Sequence, residues 1–284
     1  MGIATPPDFI GTGIAESLSG IAPWLGGLLL VGLSSARFAF AFMLVPIFST
    51  QVMPATVRNS IIVTFGLVAY ILQTQFLPRD LSTFDWVMLF FREAAAGTII
   101  GFFFGTIFWA LGAAGEVIDA KIGATIGQLV DPFSGQQTSL TAILLSRFAQ
   151  VIFVAAGGLT LLIATIMESY VIWPMGQGGL RFDPASVILF EGEFGRMFLL
   201  AFLFSAPILT VLYVVDAGLG MLNRFAQQFN VFSLSMPIKS AAAIFILILC
   251  LPLFVQSILS DMASRTGVVA GVLGRVASPV EKER

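Results

Sequence analysis

Histidine is missing from this 284-residue chain, cysteine occurs once, at Cys250, and only 11% of the residues are charged. The first absence removes imidazole acid–base catalysis, haem held by His and zinc sites built on histidine. The second leaves no disulfide within the chain and no Cys/His metal cluster. No nucleophile–base–orienter set can be assembled from what remains, and neither a GxSxG nor a P-loop pattern occurs. An enzyme is therefore not expected, and neither is a cofactor or a metal. The 14 basic and 16 acidic residues leave a net charge of −2 with no basic cluster, so nucleic acid is not an expected partner. Residues 1–20 hold Asp8 and Glu16 but no Lys or Arg, unlike the positive start of a signal peptide. Insertion is expected to proceed through the chain's own apolar segments.

Apolar residues are what the chain has in abundance. They make up 57% of it, and the mean hydropathy is +0.97. Ordinary globular chains carry roughly 25% charged residues, and a soluble fold with so few could not cover its surface. A hydrocarbon core about 30 Å thick needs roughly 20 apolar residues of helix. Runs that meet or approach this length are Ile21–Phe48, Ile61–Leu77, Ala94–Ala114, Ala142–Met167, Met197–Leu222 and Ala241–Leu259. No run alternates with the period of two that barrel strands require. The expected fold class is an all-α membrane protein of about six kinked apolar helices in hairpins, forming one integral unit over residues 1–284. Lys and Arg are slightly more numerous in the loops that share a side with the C-terminus, which favours a cytoplasmic C-terminus.

Proline and glycine are placed with pattern. Pro46 is expected to end the first run, while Pro207 and Pro252 lie inside the fifth and sixth, where proline removes a backbone donor and bends a helix. Gly97, Gly101 and Gly105 recur every fourth residue in "GTIIGFFFG", an arrangement that places small residues on one face and lets another backbone approach. That approach fits either contacts inside the chain or contacts between subunits.

Few polar residues carry information. Arg37 sits within an apolar run, where a charge is costly without a partner or water; Glu116 and Asp216, at the fringes of other runs, are its candidate partners. The three form a candidate intramembrane polar set, either as a structural ion pair or lining a polar path. In "AGEVIDAKIGATIGQLVDPFSGQQ", Glu116 and Asp119 share a helix face, and Gly123 and Gly127 weaken the helix that follows. "DPFSG" then supplies turn chemistry through Asp131, Pro132 and Gly135. The segment also carries Ile122, Ile126, Leu129, Val130 and Phe133, an apolar set that suits either a surface loop or a plug tucked into a cavity. A third stretch, "NRFAQQFNVFSLSMPIKS", mixes Gln227, Gln228 and Asn230 with large apolar residues and is closed by Pro237 and Lys239. Amides in apolar surroundings are common glue between helices, so a subunit contact is expected there. Glu191 and Glu193 in "FEGEFG" are expected in a loop, as a solvated pair.

Four of these motifs occur in a familiar order. "PIFSTQVMPATVR" after an Arg-bearing first helix, "AGEVID", "LVDPFSG" after a glycine-interrupted helix, and "LGMLNRFAQQFNVFSLSMPIKS" together resemble the SctT/FliR family of type III secretion export-apparatus membrane proteins. The resemblance spans about residues 30–255, and the wording "NVFSLSMPIKS" looks closer to injectisome SctT than to flagellar FliR. It implies a bacterial inner-membrane protein, multi-pass and partly raised toward the periplasm. It also implies assembly with SctR-like and SctS-like subunits, and with an SctU-like switch protein, into a helical export gate for unfolded secreted proteins. By that likeness residues 21–167 are an R-type portion with a plug at 122–138, residues 197–259 an S-type helical hairpin, and residues 260–284 a polar C-terminal tail. The plug positions are Ile122, Gly123, Ile126, Gly127, Leu129, Val130, Asp131, Pro132 and Phe133. Ile126 and Leu129 stand where flagellar relatives often carry Phe, so branched aliphatics take the place of an aromatic seal. The alternative is a secondary transporter of small solutes in which Arg37, Glu116 and Asp216 would meet in a midplane site.

Overall fold

A computed structural model describes residues 9–73, 83–123, 139–175, 184–225 and 231–276. Every regular element in them is helical: α1 (Phe9–Leu44), a 3₁₀ turn at Pro46–Phe48, α2 (Ala55–Leu72), α3 (Thr83–Ile122), α4 (Leu140–Ala155), α5 (Gly158–Ile172), α6 (Pro184–Phe225) and α7 (Val231–Val276). Among the described residues five helices are long and apolar enough to cross a membrane, or six spans if α4 and α5 are taken as one bent crossing. The expected all-α membrane class holds.

Most of the helices are longer than the apolar runs that announced them. The hydropathy reading stops at charges, but α3, α6 and α7 pass through theirs, and Glu93, Glu193, Arg196, Asp261 and Arg265 among those charges have partners inside the chain. "FEGEFG" is therefore helix and not loop, and α7 continues to Val276, so residues 260–276 are not a polar tail. Val269, Val272, Leu273 and Val276 there are buried. Pro207 lies inside α6 and Pro237 and Pro252 inside α7 without ending either helix. Pro46 behaves as expected: α1 ends at Leu44 and the proline opens the 3₁₀ turn. The run expected as one helix over Ala142–Met167 is two, α4 and α5, bent by 71°. Gly157 makes the corner with φ +81°, a left-handed conformation that glycine adopts without a steric penalty.

Helix α3 is the centre of the molecule. Of its spanning window 78% is buried, against 28% for α6 and 22% for α7, and it packs against α1, α4, α5, α6 and α7. The glycine stripe explains the contact with α1. A Cβ on Gly97 would strike the carbonyl oxygen of Arg37, one on Gly101 would lie 2.5 Å from that of Ala41, and one on Gly105 2.9 Å from that of Leu44. The stripe therefore serves contact inside the chain. Further along the same helix, Gly115 admits the backbone of Ala142 at the start of α4. Phe103, Phe104 and Phe108 fill the buried side of α3, with Phe104 and Phe108 both edge-on to Phe153 of α4. In "PIFSTQVMPATVR", the turn is tied to α2 by Arg58, whose Nη1 donates to the Phe48 carbonyl at 3.2 Å.

Candidate functional site

The polar segment singled out in the sequence leaves α3 at Gly123 and re-enters helix at Leu140. Gly123 has φ +94°, and its amide donates to the carbonyls of Asp119 and Ala120, both at 3.2 Å, which closes the helix end. At the far end Ser139 is the N-cap of α4, its hydroxyl oxygen accepting from the Ala142 amide at 3.2 Å. One carboxylate joins the two ends. Asp119 accepts from the Ser139 hydroxyl at 2.6 Å, the Thr141 amide at 2.9 Å and the Thr141 hydroxyl at 2.5 Å. Asp119→Ala is expected to cost about 1.5–3 kcal/mol of stability, the scale of hydrogen bonds to a charged group, read as earlier unfolding of the purified chain in detergent. Asp119→Asn, which keeps one acceptor oxygen, should cost less.

A second cluster sits beside the first. Asp216 of α6 binds Lys121 of α3 at 2.7 Å and Lys239 of α7 at 2.5 Å, and the Lys121 ammonium lies 3.7 Å from the centre of the Tyr213 ring. Lys239 was expected at a subunit contact; its charge is engaged within the chain, holding the start of α7 to the ends of α3 and α6.

Arg37 is buried, and its partner is neither Glu116 nor Asp216 but Glu93. The guanidinium reaches that carboxylate twice, Nε to Oε2 at 2.8 Å and Nη2 to Oε1 at 3.0 Å. It donates further to the Ser169 hydroxyl at 2.9 Å and the Trp173 carbonyl at 3.0 Å, and lies 3.9 Å over the Tyr170 ring. Geometry excludes the expected pairing, because Asp216 is taken by two lysines near the far end of α3 while Glu93 faces Arg37 across the glycine stripe. Arg37 and Asp216 therefore sit in different charge clusters, and neither is paired with Glu116.

A four-charge cluster near the other ends of α6 and α7 was not foreseen. Glu193 is buried and accepts from Arg196 Nη2, Arg265 Nη1 and the Thr106 hydroxyl, each at 2.7 Å. Asp261 accepts from Arg196 Nη1 at 2.8 Å and Arg265 Nε at 2.9 Å, and also pairs with Arg265 Nη2. Arg265 also donates to the Phe103 carbonyl at 3.1 Å, which fastens both helices to α3. Glu191, by contrast, is exposed. The available signal was spacing: Glu193/Arg196 and Asp261/Arg265 are opposite charges three and four residues apart, as on one helix face.

Of the predicted plug residues, Ile122 is half-buried and Gly123 ends α3; Ile126, Gly127, Leu129, Val130, Asp131, Pro132 and Phe133 lie outside the described residues, as do Gln227, Gln228 and Asn230. Pro237 is exposed in the first turns of α7. Ile122 borders a cleft of about 1030 Å³ between α3, α4 and α7, whose lining is apolar apart from Glu116, Asp119, Ser139, Thr141 and Ser240. No group of three or more metal-ligating side chains occurs among the described residues.

The sequence that builds this helical frame matches a known family. The family described as "Bacterial export proteins, family 1" covers residues 28–264. The chain belongs to that family. Within it, this export protein is 32% identical over 214 residues to the Yop proteins translocation protein T of Yersinia pestis, covering 75% of this chain and 82% of the relative. It is 34% identical over 200 residues to the secretion system apparatus protein SsaT of Salmonella typhimurium, covering 70% and 77%. The flagellar biosynthetic protein FliR of Bacillus subtilis is 29% identical over 217 residues, covering 76% and 83%. The resemblance to the SctT/FliR family holds, with greater identity to the injectisome relatives than to the flagellar ones.

Proposed function

We propose that this export protein is a non-enzymatic subunit of the type III secretion export gate of the bacterial inner membrane. It completes the portal through which unfolded secreted proteins cross, and residues 122–138 act as a plug that helps keep the pore closed. Its partners are SctR-like and SctS-like subunits, with an SctU-like protein beside them, and the assembled unit stands partly raised toward the periplasm. The observation that carries the plug assignment is the Asp119 clasp. A carboxylate that ties Gly123's helix to Ser139 and Thr141 fastens α3 and α4 to each other on either side of that segment. A gate needs a part whose movement costs little, and a glycine-rich polar turn supplies it; its aliphatic residues would exclude water and ions when closed. Energy for transport must come from elsewhere, since the chain has no nucleotide motif.

A small-solute transporter would need Arg37, Glu116 and Asp216 in one midplane site; the pairing of Arg37 with Glu93 and of Asp216 with Lys121 and Lys239 favours the export reading over it. Deleting residues 125–135 should raise ion conductance through the assembled complex in planar bilayers while the subunit composition stays the same. Conductance equal to that of the intact complex would refute the plug.

A further inference from the structure

Most acidic side chains described within the long spans are answered inside the chain: Glu93 by Arg37, Glu193 and Asp261 by two arginines, Asp216 by two lysines, Asp119 by hydroxyls and an amide. Glu116, like the exposed Glu191 of α6, is not. It is exposed on α3 at the edge of the 1030 Å³ cleft and has no hydrogen bond or ion pair among the described residues. The two segments that adjoin this end of the molecule, residues 124–138 and 226–230, contain no Lys or Arg, and Lys121 and Lys239 already face Asp216.

The cleft has a direction. Its wall on α7 runs from Ser240 to Leu251, about 16 Å at 1.5 Å per residue, or three turns of helix. Leu140, Leu144, Ile244 and Ile248 along it are exposed apolar side chains, and the carboxylates and hydroxyls gather at one end. We propose that this cleft receives an apolar helix of a neighbouring export-apparatus subunit, carrying a Lys or Arg that pairs with Glu116. The assignment rests on the export-gate function proposed above. Charge selects a protein helix over a phospholipid. A lipid brings a phosphate, which would be set against Glu116 and Asp119 with no free cation among the described lining residues to hold it, whereas a lysine or arginine brings positive charge alone.

The test uses the whole complex. A photo-reactive p-benzoylphenylalanine is placed at Leu144 or at Ile248, the complex is irradiated in membranes, and the adducts are mapped by mass spectrometry. The expected adduct is a peptide of another apparatus subunit with a Lys or Arg in an apolar stretch. Glu116→Lys should lower its yield at least tenfold, Glu116→Gln less, and reversing the charge of the cross-linked cation should restore it. Circular dichroism and a monodisperse elution profile establish that the Glu116 variants fold. Adducts to lipid only, adducts confined to this chain, or a yield indifferent to Glu116→Lys would each overturn the assignment. Should the purified chain bring down no other apparatus subunit, the export-gate function fails with it; an intact complex whose adduct ignores Glu116 sinks the cleft assignment alone.

Discussion

Arg37→Met is expected to lower the stability of the purified chain in detergent by about 3–5 kcal/mol, the range for removing one partner of a buried ion pair. The loss comes less from the attraction given up than from what stays behind. Glu93 would remain buried with its two guanidinium contacts gone, and the Ser169 hydroxyl and Trp173 carbonyl would each lose the Arg37 hydrogen bond they have now. Removing both charges should therefore hurt less than removing one. The double variant Arg37→Met/Glu93→Leu should regain most of the stability, because two apolar side chains of similar size leave no uncompensated carboxylate. Unfolding in mixed micelles titrated with a denaturing detergent reads both. A double variant as unstable as the single one would mean that Arg37 is held mainly by its contacts with Tyr170, Ser169 and Trp173, which tie α1 to α5 and the segment after it.

The same pair shows how much the sequence disclosed. Arg37 stands out in an apolar run, and its need for a counter-charge follows from solvation alone. The partner does not follow, because distance along the chain says nothing about which helix lies alongside. Glu93 stands in "FFREAAAG", directly after Arg92 and just before the run that starts at Ala94, so nothing local points it at Arg37. The glycine stripe was legible as a close-approach surface, and only the fold shows that α1 occupies it. Helix identity was legible too, whereas helix length was not: a hydropathy reading cuts at charges, and a charge paired across to another helix does not interrupt the backbone ladder. Asp119 was visible as a member of a helix face with Glu116, yet the two have opposite fates, one saturated by α4 and the other left facing a cleft. That difference depends on where α4 begins, which no local pattern states.

Arg265→Leu should have a comparable effect on stability and a wider one on architecture. With Arg265 gone, Glu193 and Asp261 would share a single cation, Arg196, and the cluster would hold a net negative charge in a buried place. A loss of about 3–5 kcal/mol is expected on the same grounds. The Phe103 carbonyl would also lose its contact, so the last turns of α7, with the buried Val269, Val272 and Leu273, would loosen first. Hydrogen exchange should show this as faster amide exchange over residues 261–276 than over residues 240–255. Arg265→Lys separates charge from shape. The guanidinium uses Nε and both Nη atoms to reach Asp261, Glu193 and the Phe103 carbonyl. A lysine ammonium is one point with three donors and cannot span the same groups. Arg265→Lys should therefore recover the charge balance but only part of the stability, and the amides of 261–276 should remain less protected than in the native chain. Full recovery by lysine would mean that net charge alone holds the C-terminal half of α7 in place.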